Sequence, residues 1–287
     1  MVSRHSIFYS PLIITIAGGY LERRGVAAQY AILGKGQKSQ VLIRDGIVDI
    51  MQSAVSSNWR AMEHGEAPLP VHFAQINQRD GFFLVGRVPD DSFTWPKLVG
   101  QQVLADHGWQ PLVMLKSAVR RNSVDWTRVK AIDAGTPEQM VEAFRGGHGT
   151  YVHLQSPAAH QLEFDGEGYV VAAVGTFLGP VAFSSLCCSR EFTATETFRR
   201  FVQAYREARE WVRKARALEV AQAEAAYFER NSLGALEAGI RAYQEMGAWE
   251  GGIEIAPPLY KRTCNIFQKE AAITQRPPYE EVCMAAL

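Results

Sequence analysis

Along the first half of the chain, short apolar runs alternate with stretches of helical spacing. Residues 6–9 read as a strand, and 11–23 as a helix that Gly25 ends. Residues 26–33 read as the next strand, 37–44 as a helix and 48–53 as a strand again. The middle repeats this recipe. Residues 102–104 and 129–133 read as strands. Thr136-Pro137-Glu138-Gln139 opens a helix with a capping box and proline at its first position. That helix runs to Arg145, before Gly146-Gly147, and 150–154 form the following strand. Alternation of this kind predicts βαβ units around a mostly parallel sheet with right-handed crossovers.

The last third is helical. Thr193-Ala194-Thr195-Glu196 reads as a capping box. Phe198, Phe201, Val202, Tyr205, Ala208 and Val212 follow on one face, with charged residues opposite. Leu233, Leu236, Ile240 and Tyr243 mark a helix ending near Gly247, and Leu259, Ile266 and Phe267 mark another after Pro257-Pro258. Residues 169–189 carry no charge for 21 positions, enough to span a bilayer. Gly175, Gly179 and Pro180 interrupt the run and valines fill it, which predicts two buried strands joined by 176–180 and no membrane span.

Length and composition fit this picture. The chain has 287 residues, 47% hydrophobic and 21% charged, as a globular protein of about two lobes does. Thirty basic residues balance thirty acidic ones, which argues against a broad nucleic-acid footprint. Cys187 and Cys188 are adjacent, and Cys264 and Cys283 are far from any C-x-x-C spacing, so the four read as reduced, buried thiols. The opening residues lack a signal-peptide pattern. That places the chain as given in the cytoplasm, or in the periplasm with a leader already removed.

Sequence motifs for chemistry are sparse. Gly34-Lys35-Gly36 lacks the P-loop ending and reads as a turn. His148, His153 and His160 are five and seven apart, which does not give the i,i+4 pairing of H-E-x-x-H, and no metal or cofactor is expected. The stronger argument is architectural. Open α/β lobes bind ligands in loops beyond the carboxyl ends of their strands, where helix N-termini offer free N–H groups. The candidate loops hold Ser10 and Pro11; Ser53, Ala54 and Val55; Asp106, His107, Gly108 and Trp109; and Gln155, Ser156 and Pro157. Tyr9, Trp109 and Phe183 would supply apolar walls. Backbone near Ser10, Ser53 and Ser156 would hold a polar or anionic end, and Asn77 and Gln155 would read hydrogen bonds. If the chain is instead an enzyme, His107 is the expected acid or base, and Cys187 or Cys188 the nucleophile.

Several segments, in order, resemble the solute-binding proteins of ABC transporters for nitrate, taurine, aliphatic sulfonates and thiamine pyrimidine precursors. The carriers are Phe8-Tyr9-Ser10-Pro11 through Gly25-Val26, Asp45-Gly46-Ile47-Val48-Asp49-Ile50, Phe82-Phe83-Leu84-Val85-Gly86-Arg87, Ser189-Arg190-Glu191-Phe192 and Tyr243 to Trp249. The resemblance implies a two-lobed α/β fold of the periplasmic-binding-protein type II class. Lobe 1 is expected over 1–80 plus 185–287, with the helical tail packed on it, and lobe 2 over 81–184. Two crossing strands are expected near 73–87 and 181–189. It further implies a small polar or anionic ligand between the lobes and an ABC permease as partner. Cytoplasmic enzymes on the same fold, resembling the fungal-type pyrimidine synthase of thiamine biosynthesis or a sulfinate desulfinase, and ligand sensors are the alternatives. Among them, the pyrimidine synthase carries cysteines after a Leu-Gly pair, whereas Leu178-Gly179 is followed here by Pro180-Val181-Ala182-Phe183-Ser184. The second lobe of family members often has Asp where Thr150 stands.

Overall fold

Eight strands divide between two sheets in the computed structural model, which describes residues 1–284. In chain order they are β1 Met51–Ser53, β2 Val71–Asn77, β3 Phe82–Gly86, β4 Gln102–Leu104, β5 Lys130–Ile132, β6 Tyr151–Gln155, β7 Tyr169–Ala173 and β8 Ser184–Cys188. One sheet has the order β1-β8-β2, the other β5-β4-β6-β3-β7. The chain passes between them twice, through Gln78 to Gly81 and through Val174 to Phe183. The fold is α/β of the expected two-sheet kind. The mostly parallel sheet is corrected: only β4 pairs in parallel, with β5 and β6, whereas β8 is antiparallel to both neighbours. A strand that returns from the other sheet enters from the opposite end, so β8 runs against β1 and β2.

The opening segment also departs from expectation. Residues 7–9 are a 3-10 turn, leading into the helix Ser10–Ala17. Ser6 caps the turn by accepting from the Phe8 N–H at 3.1 Å, and Pro11 suits the first helical turn. A local cap outcompetes a strand this short. Gly18-Gly19 end the helix early, with Gly19 at φ +69, and a 3-10 turn Glu22–Arg24 follows. The strand expected over 26–33 is a single bridge, Ile32 to Val2. Ile32 is half-exposed and its neighbours lie open, so no buried face supports a ladder.

The remaining elements follow the pattern closely. Thr136 and Gln139 form the capping box. The helix Glu196–Lys214 buries Phe198, Phe201, Tyr205 and Val212, and Phe198 meets Phe73 of β2 edge-on at 4.8 Å. Its cap is Thr195, two residues later than expected, because the Thr193 hydroxyl donates to the Arg190 carbonyl within a 3-10 turn. The tail packs on the β2 side and also reaches the second sheet's helices. Leu233–Met246 runs along Ala158–Phe164, and Phe267 of Pro257–Lys269 sits 5.1 Å from Trp109. Among the described residues, no helix is long and apolar enough to cross a membrane.

Candidate ligand-binding seam

The segment from Arg4 to Ser10 lies along the seam where the two sheets' halves meet. Phe8 packs so closely on the crossing segment that a Cβ on Gly81 would stand 2.5 Å from its ring, which is why glycine is required there. The Phe8 carbonyl accepts from Asn77 Nδ2 at 2.7 Å and Trp249 Nε1 at 3.1 Å. Beside it, the Tyr9 hydroxyl bonds the side chains of Gln155 and Ser184. Asn77 faces Ser184 across the β2–β8 ladder, so Asn77, Ser184, Tyr9 and Gln155 gather at one place. The Ser6 hydroxyl donates to the Ser156 carbonyl at 2.5 Å. The Ser156 N–H donates to Tyr243 Oη, whose own hydrogen goes to the Gly81 carbonyl at 2.9 Å. One tyrosine thus ties the Gln155-Ser156-Pro157 loop to the crossing segment.

Further bonds cross the seam. Arg4 holds Asp106 with both terminal nitrogens, one at 2.9 Å, and Asp106 also accepts from the Gly108 N–H. Ser56 donates to Gln110 Oε1 at 2.6 Å, and Gln110 Nε2 donates to the Phe183 carbonyl at 2.8 Å. Phe183 meets Phe8 edge-on at 5.7 Å. Ser53 ends β1, Ala54 accepts from the Ser57 N–H, and Val55 is buried. Of the expected loop residues, Asp106, Gly108, Gln155 and Ser156 therefore meet at one seam.

Two expectations fail on position. Trp109 is not in a loop. It is the first residue of the helix Trp109–Arg121, edge-on to Trp59 and Phe267, with the Arg60 guanidinium 4.2 Å over its ring. Cys187 and Cys188 lie buried on β8, and burial pushes both thiols up, Cys188 to about 12. A thiol held protonated is no nucleophile at neutral pH. His107 is exposed and ties its Nδ1–H to the Ala105 carbonyl at 2.8 Å. His148 is exposed in its turn, and His160 bonds Ser156. Among the described residues, no three His, Cys, Asp or Glu side chains are placed to hold a metal.

The seam also contains polar groups that sequence reasoning missed. Asp80 is fully buried. Its Oδ1 accepts from the Phe82 N–H at 2.7 Å, while Oδ2 has no partner. Burial, with the Asp106 charge nearby, raises this carboxyl to about 8. His153 stacks on Phe82 at 4.4 Å with neither ring nitrogen partnered, and burial lowers it to about 3. Glu224 is fully buried, shares 2.7 Å with the Ser10 hydroxyl, and leaves Oε2 without a partner. Burial raises it to about 8. Asn77 Oδ1 is likewise unpartnered. A signal for Glu224 was present: Ala217, Val220, Ala221 and Glu224 share one helical face, with the acid on the apolar side.

The structure matches known folds along nearly the whole chain. The ligand-binding component of an ABC-type import system from Staphylococcus aureus superposes with a TM-score of 0.77, covering 99% of this chain and 94% of that one at 12% identity. The alkanesulfonate-binding protein SsuA from Xanthomonas axonopodis pv. citri gives 0.75, with 96% and 95% covered at 13% identity. The desulfurization enzyme DSZB gives 0.67, with 98% and 94% covered at 14% identity. In sequence, YtlA of Bacillus subtilis (strain 168), named provisionally as a binding protein, is 24% identical over 285 residues, 97% of this chain and 84% of YtlA. No family model matches the chain. The chain has the periplasmic-binding-protein fold, and its structural likenesses include ABC-type solute-binding proteins.

Proposed function

We propose that this protein captures a small polar organic solute at the seam between two lobes and hands it to an ABC permease. The lobes are residues 1–80 with 185–287, and residues 81–184. The reading rests on one observation above all. Of the buried polar side-chain atoms without partners, which also occur on Asn58, His72, Gln75, Arg79, Trp95 and Arg213, those of Asp80 and Glu224 belong to buried carboxyls, with Asn77 and His153 beside the crossing segment. Each costs about 1–3 kcal/mol when left unpaired. A site that keeps such groups is arranged for a molecule that pairs with them.

The bonds Arg4–Asp106, Ser56–Gln110, Ser6–Ser156 and Tyr9–Gln155 hold the lobes together. A solute that touches both lobes only when these bonds are made stabilises the closed state by that difference in affinity. The likenesses to solute-binding proteins support delivery to a permease, and with it a place outside the cytoplasmic membrane.

The test is a thermal-shift screen of amines, amides, sulfonates, carboxylates and aminopyrimidines, with each mixture then analysed by mass spectrometry. A solute at a hundred times its dissociation constant adds about 2.7 kcal/mol, roughly 5–10 °C at this size. A stabilising compound recovered unchanged is the expected result. A compound recovered chemically altered would make the protein an enzyme instead.

A further inference from the structure

One end of the seam is built of rings around an acid. His5, Tyr30 and Tyr227 are half-buried, and Glu224 lies fully buried behind them. Tyr30 and Tyr227 meet edge-on at 5.2 Å, His5 and Tyr30 at 5.7 Å, and His5 stacks on Phe228 at 4.3 Å. Burial first, then the charges of Tyr9, Glu224 and Tyr227, push the Tyr30 phenol above its ordinary range.

The hydrogen bonds settle which atoms are left to accept. His5 Nε2 lies 2.7 Å from the Tyr227 carbonyl, and a carbonyl only accepts, so Nε2 carries the ring proton. Neutral Nδ1 then accepts from the Tyr30 hydroxyl at 2.9 Å. The free capacity of Tyr30 is its oxygen lone pairs. Ser10 has one hydrogen and two oxygens in reach, the Ile7 carbonyl at 2.6 Å and Glu224 Oε1 at 2.7 Å. A proton on Glu224 satisfies all three, with Glu224 donating to Ser10 and Ser10 to Ile7. The other carboxyl oxygen, Oε2, stays unpartnered. So the unclaimed atoms are acceptors framed by aromatic faces. Nearby Arg4, the cation an anionic ligand would need, is already engaged by Asp106.

We propose that Glu224, with Tyr9, Tyr30, Tyr227 and His5 around it, recognises the positively charged nitrogen of a small organic amine or amidine. The inference rests on the solute-binding reading and narrows it to cations. Aromatic faces attract such a charge, and a buried carboxylate completes its pairing. Binding moves the Glu224 proton to solvent, because the carboxyl is protonated below about 8 in the empty site. The titratable group facing it is Tyr30, on which Tyr9 and Tyr227 also act, with His5 bonded to Tyr30 and Glu138 adding its negative charge toward His5.

Calorimetric titration of the full chain with three compounds of one shape tests this: benzamidinium, benzamide and benzoate. Benzamidinium is expected to bind about tenfold or more tightly than either of the others. Titration at pH 7 in buffers of different ionisation heat should show proton release. Glu224→Gln, which keeps an N–H donor for Ser10, should abolish both the preference and the release. Tyr30→Phe, at a half-exposed ring, should weaken benzamidinium severalfold and keep the release. Benzoate or benzamide binding as tightly as benzamidinium, or a preference that survives Glu224→Gln, overturns the proposal. If none of the three binds while another solute in the wider screen does, the cation reading fails and the solute-binding reading stands. If no solute stabilises the protein, both fail.

Discussion

Two buried polar regions differ in how their most deeply buried charged groups are paired, although Gln75 Oε1 and Arg213 Nε beside the first also lack partners. In the first, Arg209 is buried without a carboxylate partner, yet its guanidinium donates to the carbonyls of Gly251 at 2.7 Å, Glu250 at 2.9 Å and Ile76 at 3.4 Å. Tyr205 from the same helix donates to the Gln75 carbonyl at 2.8 Å. In the second, Asn77, Asp80, His153 and Glu224 are just as buried and each keeps an atom unpaired. Burial alone does not mark a functional group. A charged group with every donor nitrogen paired, as in Arg209, fixes the chain, whereas a buried carboxyl with a free oxygen keeps capacity for a partner.

The comparison breaks if the two regions respond alike to mutation. Arg209→Met strands three carbonyls and should cost about 3–5 kcal/mol in urea unfolding while leaving solute affinity unchanged in the surviving folded protein.

The next effect is on pH dependence. Asp80 and Glu224 are raised to about 8, so the folded state holds protons that the unfolded state has lost above about pH 4. Their contribution falls as pH rises from about 4 to 8 and then levels off. His72, His153 and His160 are lowered by burial to about 3, 3 and 4. The unfolded state binds those protons up to about pH 6.5, so their contribution rises with pH over that window. Three groups rising against two falling give maximal stability near pH 6.5, followed by a loss of about 2–4 kcal/mol by pH 8. Unfolding curves at several pH values check this, and Glu224→Gln should flatten the decline.

Gly81→Ala sharpens the contrast at the crossing segment. Its Cβ meets the Phe8 ring at 2.5 Å, so the variant should lose about 1–3 kcal/mol and bind solute more weakly. His153→Phe should have the smallest effect on stability and the opposite sign. It keeps the stack on Phe82 and removes two unpaired nitrogens, so the protein should gain about 1 kcal/mol. A loss of stability would mean that His153 is satisfied after all.

Much of the fold was legible because its patterns are local. The Thr136–Gln139 box, the β4 run and the face of Glu196–Lys214 each specify their element within a few residues. Misreadings fell where an element depends on distant support, as in 7–9 and 26–33, or on chain direction, as in β8. At the site, loop position pointed to Ser10, Asp106, Gln155 and Ser156, and side-chain type to Tyr9 and Asn77; the bonds of Tyr9, Asn77, Asp106, Gln155 and Ser156 meet near the crossing segment. Neither could reveal Arg4, His153 or Tyr243, whose roles come from residues about a hundred positions away. Trp109 was misplaced because the apolar partners that claim its ring, Trp59 and Phe267, are also remote in sequence.

Hydrogen exchange with and without a stabilising solute tests the central claim most directly. Capture at the seam predicts added protection in 4–10, 77–82, 104–110 and 153–157 together, with little change around Arg209. Protection confined to one side of the seam, or centred on Trp109 and Phe267, would contradict it.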